Sequence, residues 1–165
     1  MSTSFAYCPQ CGNELTDETR FGKPHRIGPA CGYVHFRDPK VAAVVLIQRA
    51  GQILLVLRGI DPERGKWALP AGYVDGGEDP ALAAQREVRE ETGLDVRIAR
   101  LVDVMFDQGK ILIVYGAEVV GGALSAQDDV DDVRWFAPGE LPHDLAFRST
   151  REIVAHWLEQ HDPSG

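Results

Sequence analysis

The chain has 165 residues, of which 17 are basic and 25 acidic, giving a net charge of −8 at pH 7. This length suits one α/β domain with a small appendage, and the acidic balance argues against nucleic acid or a membrane surface as partners. No N-terminal stretch resembles a signal peptide and no run approaches the ~20 apolar residues of a membrane helix, so we expect a soluble cytoplasmic protein.

The N-terminal segment, residues 1–39, contains all three cysteines and lacks the periodic apolar pattern of a buried core. Cys8 and Cys11 have the Cys-x-x-Cys spacing of a zinc knuckle, and an odd number of cysteines favours metal ligation over a disulfide framework. Cys31 lies in a second knuckle frame, Gly-Pro-Ala-Cys-Gly, in which a glycine replaces the first ligand. We expect a small extension that either binds zinc through three cysteines and His25 or is a metal-free segment held by packing.

From Val41 onward the apolar pattern becomes strong, and we predict a main domain at residues 40–162. Residues 41–47 form a continuous apolar run, typical of a strand covered on both faces, and residues 53–57 predict a second strand. Later patterns predict three more strands and a terminal helix with one apolar face. These elements are residues 96–102, 111–115 and 133–136, and the helix 145–160 with Phe147, Val154, Trp157 and Leu158 on its apolar face.

Between these strands, residues 72–94 predict a glycine-rich turn followed by a short helix. Asp79 suits the N-cap and Pro80 suits the first helical position. Gly93 supplies the left-handed conformation that is common just after a helix. The helix boundaries are therefore well defined by the sequence.

Three glutamates, Glu87, Glu90 and Glu91, lie on one face of this helix, since positions i, i+3 and i+4 fall within ~100° of one another. Like charges at this spacing repel. The face is therefore either fully solvated or a site for hard divalent cations, which prefer carboxylate oxygens. The strand–turn–helix setting favours the cation site. Arg86 can pair with Glu78, which would hold the turn against the helix and leave the other acids for metal.

The segment resembles the Nudix box, a pattern of Gly, five residues, Glu, seven residues, Arg-Glu, an aliphatic residue, any residue, Glu-Glu, any residue, Gly and an aliphatic residue. Every fixed position of the pattern is matched. The matching residues are Gly72, Glu78, Arg86, Glu87, Val88, Glu90, Glu91, Gly93 and Leu94.

The resemblance implies the α/β Nudix fold, in which a mixed β-sheet lies between helices (α/β/α), here with a zinc-ribbon-like N-terminal extension. It implies a Mg²⁺- or Mn²⁺-dependent pyrophosphohydrolase acting on phosphorus-containing acid anhydrides. Glu87, Glu90 and Glu91 would be its catalytic metal ligands, with a main-chain carbonyl around Ala71 or Gly72 as a further oxygen. Either Glu90 or Glu91 would be the general base, and a homodimer is the usual state in the family.

The N-terminal segment, the entry to the box and residues 144–149 together resemble the ADP-ribose/FAD pyrophosphatase-like subgroup. We expect a small-molecule substrate, a nucleoside diphosphate derivative such as ADP-ribose or FAD, cleaved to a nucleoside monophosphate and a second phosphate product. The alternatives are a hydrolase of (d)NTPs or dinucleoside polyphosphates and a non-catalytic nucleotide sensor. NADH is disfavoured because the Ser-Gln-Pro-Trp-Pro-Phe-Pro-like element of NADH pyrophosphatases is absent after the box.

Substrate contacts are expected outside the helix. Arg58, at the end of the second strand, could hold a substrate phosphate, and Tyr73 could stack on adenine or flavin. Asp131 could add a carboxylate to the site, as could its neighbours Asp129 and Asp132, although acidic loops are commonly solvated. Other aromatic residues that could contact a base are Phe106, Trp135 and Phe147.

Overall fold

The computed structural model describes residues 5–161, and its contacts divide the chain into two compact units, Met1–Asp38 and Pro39–Gly165. Within the described part of the first unit the strands form one antiparallel sheet in the order β1-β2-β3. These strands are β1 (Thr16–Arg20), β2 (Lys23–Ile27) and β3 (Val34–His35).

The second unit contains a seven-stranded mixed sheet with two α-helices, counted over its residues up to 161. The long strands follow the order β10-β5-β4-β9-β8, while β6 pairs with β5 and β7 pairs with β4. Among the strand pairings within residues 5–161, only that of β4 with β9 is parallel. The elements are β4 (Lys40–Arg49), β5 (Gln52–Arg58), β6 (Trp67–Ala68), β7 (Ala71–Tyr73), α1 (Pro80–Thr92), β8 (Leu94–Asp107), β9 (Lys110–Gly122), β10 (Val130–Phe136), a 3₁₀ turn (Pro138–Glu140) and α2 (Arg148–His161).

The central strand β4 is buried on both faces because its alternating side chains pack into two different cores. One core joins Val45 and its same-face neighbours to α1 through Val88. The other core joins Val44 and its same-face neighbours to α2 through Trp157. The sheet therefore lies between two helices, which confirms the predicted α/β/α arrangement and the two-sided burial of this strand.

The boundaries of α1 are those that the sequence predicts. Asp79 Oδ1 accepts a hydrogen bond from the N–H of Ala81 at 2.7 Å, and Pro80 occupies the first helical position. Gly93 adopts φ 70° and its N–H donates to the carbonyl of Arg89. Both ends of the helix are thus capped, which fixes where its glutamates lie.

The terminal helix is shorter than predicted. It begins at Arg148 instead of residue 145, because Phe147 has a φ of 55°, outside the helical region. The placement of Phe147 on the apolar face of α2 is therefore wrong, since its side chain packs against the core on the α1 side of the sheet. Val154 and Trp157 are buried as predicted.

Strands β8 and β9 are longer than the predicted segments 96–102 and 111–115. Their pairing contains three register shifts, one of them between Ile98 and Arg100. Each irregularity interrupts the period-2 alternation on which sequence prediction depends. Among residues 5–161, no helix has the length and apolar character needed to cross a bilayer.

Candidate active site

A cavity of about 490 Å³ opens in the Pro39–Gly165 unit. Its wall is built from β4, β5, β7, α1 and the turn between β8 and β9. Nine of the residues singled out in the sequence as metal ligands, substrate contacts or box residues line it. They are Arg58, Ala71, Gly72, Tyr73, Arg86, Glu87, Glu91, Asp129 and Phe147.

Glu91 is the most deeply buried of the three helix glutamates, with 5% of its surface exposed. One of its oxygens accepts a hydrogen bond from the N–H of Ala71 at 3.2 Å, which ties the helix to β7. Burial raises the pKa of the Glu91 carboxyl well above its usual value, and the nearby charges of Asp129 and Glu87 raise it further. A carboxylate in this position gains from a bound cation.

Glu87 lies against the backbone of β7. A Cβ atom added to Gly72 would fall 1.9 Å from the Glu87 carboxyl carbon, so any side chain at that position would displace the carboxylate. Burial raises the pKa of Glu87, and the neighbouring guanidinium of Arg86 only partly offsets this effect. Gly72 therefore provides the space in which a second carboxylate faces the cavity.

Arg86 connects the turn to the glutamate face. Its Nε and Nη2 each donate to a different oxygen of Glu78 at 2.9 Å, and its Nη1 donates to Glu87 at 2.7 Å and Glu90 at 3.0 Å. The hydrogen bonds from Arg86 and from the backbone of Asp75 lower the pKa of Glu78 to about 2. Glu90 is the most exposed of the helix glutamates, pairs with this arginine and is not part of the cavity wall.

The oxygens of the three helix glutamates are spread along the helix. Within residues 5–161, only the three cysteines of the first unit bring three candidate donors within 4.8 Å of one another. The glutamates nevertheless suit Mg²⁺ or Mn²⁺, because their donors are all oxygens and their mutual repulsion would be relieved by a divalent charge. Glu87 and Glu91 would hold such an ion, with Glu90 within the same hydrogen-bonded network.

A family model described as the NUDIX domain matches residues 37–158. The chain belongs to the Nudix hydrolase family. The match covers the whole seven-stranded sheet, α1 and most of α2. The family that the box resembles is thereby shown by a match that extends well beyond the box on both sides.

Similar proteins include two curated Nudix relatives and a solved structure. An ADP-ribose pyrophosphatase from Methanocaldococcus jannaschii is 37% identical over 121 residues, covering 70% of this chain and 69% of the relative. A NAD-capped RNA hydrolase NudC from Stutzerimonas stutzeri is 31% identical over 159 residues, and the chain spans only 54% of its length. The crystal structure of a NUDIX hydrolase from Nitrosomonas europaea matches with a TM-score of 0.88 and 30% identity, covering 94% of this chain and 92% of that one.

The acidic loop before β10 of this Nudix chain contributes Asp129 to the cavity wall, and Asp131 is not part of that wall. The N–H of Gly59 donates to the carbonyl of Asp129 at 2.8 Å, which fixes the loop beside the end of β5. Asp132 instead pairs with Arg134. Sequence alone could not separate these neighbours, because a register shift between Val130 and Asp132 interrupts the alternation of side chains in this segment.

The aromatic candidates of the Nudix domain have different surroundings. Phe147 lines the cavity and lies under the guanidinium of Arg58, 4.9 Å from its ring centre. Tyr73 also lines the cavity, but lysine side chains approach its ring. Phe106 and Trp135 do not line this cavity.

The three cysteines converge in the first unit. Their sulfurs lie within 4.8 Å of one another, and Cys8 Sγ is 3.5 Å from Cys31 Sγ. A Cβ atom at Gly28 would lie 2.9 Å from Cys31 Sγ and 3.1 Å from Cys8 Sγ, so the glycine lies directly beside two of the three sulfurs. His25 is not part of this group among the described residues, and its ring packs against Phe36 with 5.2 Å between centres.

Replacing Arg86 with lysine should lower kcat/KM by about 10–100-fold, the range typical of losing a residue that positions metal ligands. Lysine keeps the charge but cannot donate from a rigid fork to several carboxylates at once. The measurement is steady-state hydrolysis as a function of Mg²⁺ concentration. Arg89→Lys is the matched control, because Arg89 lies on the same helix and pairs with Asp95. Equal activity of the two variants would contradict the positioning role of Arg86.

Proposed function

We propose that this chain is a Mg²⁺- or Mn²⁺-dependent pyrophosphatase that cleaves the diphosphate linkage of a nucleoside diphosphate derivative such as ADP-ribose or FAD. The products would be a nucleoside monophosphate and a second phosphate compound. The observation that carries the proposal is one cavity whose wall holds the half-buried carboxylate of Glu87, the buried carboxylate of Glu91 and the cation of Arg58. The similarity to the ADP-ribose pyrophosphatase from Methanocaldococcus jannaschii supports the same substrate class.

In this proposal some residues bind the metal ion and the substrate phosphates, some orient these residues, and one glutamate transfers a proton. A divalent cation held by the glutamates would neutralise the diphosphate and lower the pKa of the attacking water. The N–H of Ala71 orients Glu91, and Arg86 orients Glu87 and Glu90. Arg58, which lines the same cavity, would bind a phosphate oxygen. Glu90 and Glu91 are the two candidates for the general base.

The test is hydrolysis of a panel of compounds with Mg²⁺ or Mn²⁺, followed by chromatography of the products. ADP-ribose giving AMP and ribose 5-phosphate, or FAD giving AMP and FMN, is the expected result. Nucleoside triphosphates giving a monophosphate and pyrophosphate would favour the alternative, which the 32% identity to a putative 8-oxo-dGTP diphosphatase from Bacillus subtilis supports. Binding without turnover of any compound would overturn the enzymatic proposal in favour of a sensor.

NAD-linked substrates form a second candidate class, because the similarity to the NudC relative extends over 93% of this chain. NADH and NAD-capped RNA therefore belong in the same panel. The net charge of −8 disfavours the RNA, since polyanions bind mainly through basic surfaces. We propose a small nucleotide as the substrate, and faster cleavage of the capped RNA than of ADP-ribose would contradict this.

We propose further that Cys8, Cys11 and Cys31 bind a structural zinc ion. Three thiolates are a common part of tetrahedral zinc sites, and the three sulfurs already lie close together. The position of Gly28 beside two of these sulfurs explains why the set is one ligand short. The fourth donor would then come from solvent or from an added ligand.

Replacing Gly28 with cysteine should tighten zinc binding on the order of tenfold or more, because it completes a set of four thiolates. The ends of the Cys8 and Cys31 side chains must shift slightly to admit the new Cβ. Competition with a chromophoric chelator measures the affinity, and the absorption spectrum of the Co²⁺ form reports the number of thiolates. Cys11→Ser is the comparison that should weaken binding. An unchanged affinity and spectrum in the glycine variant would rule out this geometry.

A further inference from the structure

The ammonium groups of two lysines both lie close to the aromatic ring of Tyr73. Lys40 Nζ lies 4.6 Å and Lys110 Nζ 5.5 Å from the centre of that ring. The two residues are also direct partners in the parallel pairing of β4 and β9. Like charges on opposing strand positions repel, so this arrangement is unfavourable unless an anion lies nearby.

The positive charge of this pair is not cancelled by a carboxylate. Neither lysine forms an ion pair with any residue of the described segment 5–161. Asp107 lines the cavity close to Lys110 in the chain, but it pairs with Arg148 at 3.6 Å and accepts a hydrogen bond from the N–H of Ser149 at 3.3 Å. The lysines therefore remain available to a ligand.

The ring of Tyr73 connects the lysine pair to the cavity of the helix glutamates, although Lys40 is not itself part of the cavity wall. Tyr73 and Lys110 line the cavity together with Glu87 and Glu91. Tyr73 follows directly on Gly72, against which the Glu87 carboxylate packs. A ring approached by two ammonium groups is a poor stacking surface for a nucleobase and a good support for cations. The surroundings of the Tyr73 ring therefore favour its supporting the two ammonium groups over its stacking on a nucleobase.

We propose that Lys40, Tyr73 and Lys110 form an anion subsite that binds a phosphomonoester of the substrate, apart from the diphosphate cleaved at the glutamates. Two ammonium groups match the charge of a phosphomonoester, which is about −1.5 to −2 at neutral pH. The inference rests on the proposed function and narrows its substrate class. The favoured substrates are nucleoside diphosphate derivatives that carry an additional phosphate, on the ribose or at the far end of the molecule.

The test compares compounds that differ by one phosphomonoester, NADPH with NADH and coenzyme A with dephospho-coenzyme A. Equilibrium binding to the full chain is measured by calorimetry with divalent metal chelated, so that no hydrolysis is required. We expect the phosphorylated member of each pair to bind about tenfold more tightly. In the double variant Lys40→Gln/Lys110→Gln the two members should bind within about twofold of each other.

Two further variants separate the subsite from a general effect of charge or folding. Lys66→Gln removes a lysine that pairs with Glu63 outside the cavity wall, and it should keep the tenfold discrimination. The double variant Lys40→Arg/Lys110→Arg retains both positive charges and should also keep most of the discrimination between the paired compounds. Equal binding of the paired compounds to the wild-type chain, or discrimination that survives in the glutamine double variant, would overturn the subsite. Hydrolysis of the same compounds with Mg²⁺ tests the proposed function separately, because its failure would leave the binding difference intact.

Discussion

Replacing Glu91 with glutamine should lower kcat at least about 10³-fold at saturating Mg²⁺, the loss expected when a metal ligand or general base is removed. The substitution preserves the shape of the side chain and removes only its charge and basicity. Glu91 is the most buried of the helix glutamates, and it lies close enough to Glu87 and Asp129 for their charges to raise its pKa. A cation at this site would interact with its carboxylate in a medium that screens charge poorly.

The measurement has two parts, because loss of turnover alone does not show where a cation binds. Steady-state hydrolysis of the preferred compound gives kcat, and the increase of the unfolding temperature with Mg²⁺ reports binding to the folded chain. Both should be reduced in the variant. Glu118→Gln, which removes an exposed carboxylate that pairs with Arg97, should change neither. A loss of less than tenfold with an unchanged Mg²⁺ effect would show that Glu91 is not part of the metal site.

The features that were predictable from the sequence are those that depend on local chemistry. The caps at Asp79 and Gly93 define α1 because each satisfies backbone groups that only the adjacent turn can supply. The spacing of Glu87, Glu90 and Glu91 then places them on one face whatever the rest of the chain does. The two-sided burial of β4 followed in the same way from a continuous apolar run.

The features that were not predictable depend on which distant segments meet. The parallel pairing of β4 with β9 places Lys40 beside Lys110, and neither residue carries a local signal of this. Asp129 lines the cavity and Asp131 does not, where the loop before β10 is hydrogen-bonded to Gly59 at the end of β5. The late start of α2 follows from the left-handed conformation of Phe147, a residue type that gives no hint of it. Tertiary packing decides each of these cases.

Replacing Gly72 with alanine should reduce Mg²⁺-dependent activity by about 10²-fold or more, because a misplacement of about 1 Å at a catalytic group is enough for such a loss. The added Cβ would lie 1.9 Å from the carboxyl carbon of Glu87 and 2.2 Å from both of its oxygens. Val88, the next residue of the helix, is packed in the core, so the helix cannot move away from β7 without disturbing that core. The carboxylate must therefore turn away from the cavity.

Gly76 offers a matched control in the turn that follows β7. An added Cβ there meets no atom within 4 Å, and neither glycine has a positive φ, so the two substitutions differ only in what the methyl group touches. Gly76→Ala should keep near wild-type activity and the full Mg²⁺ effect on unfolding temperature, while Gly72→Ala loses both. If the two variants behave alike, the close approach of Glu87 to β7 is not what positions the metal ligand. If Gly72→Ala loses activity but keeps the Mg²⁺ effect, the glycine instead provides room for the substrate, and Glu91 alone accounts for cation binding.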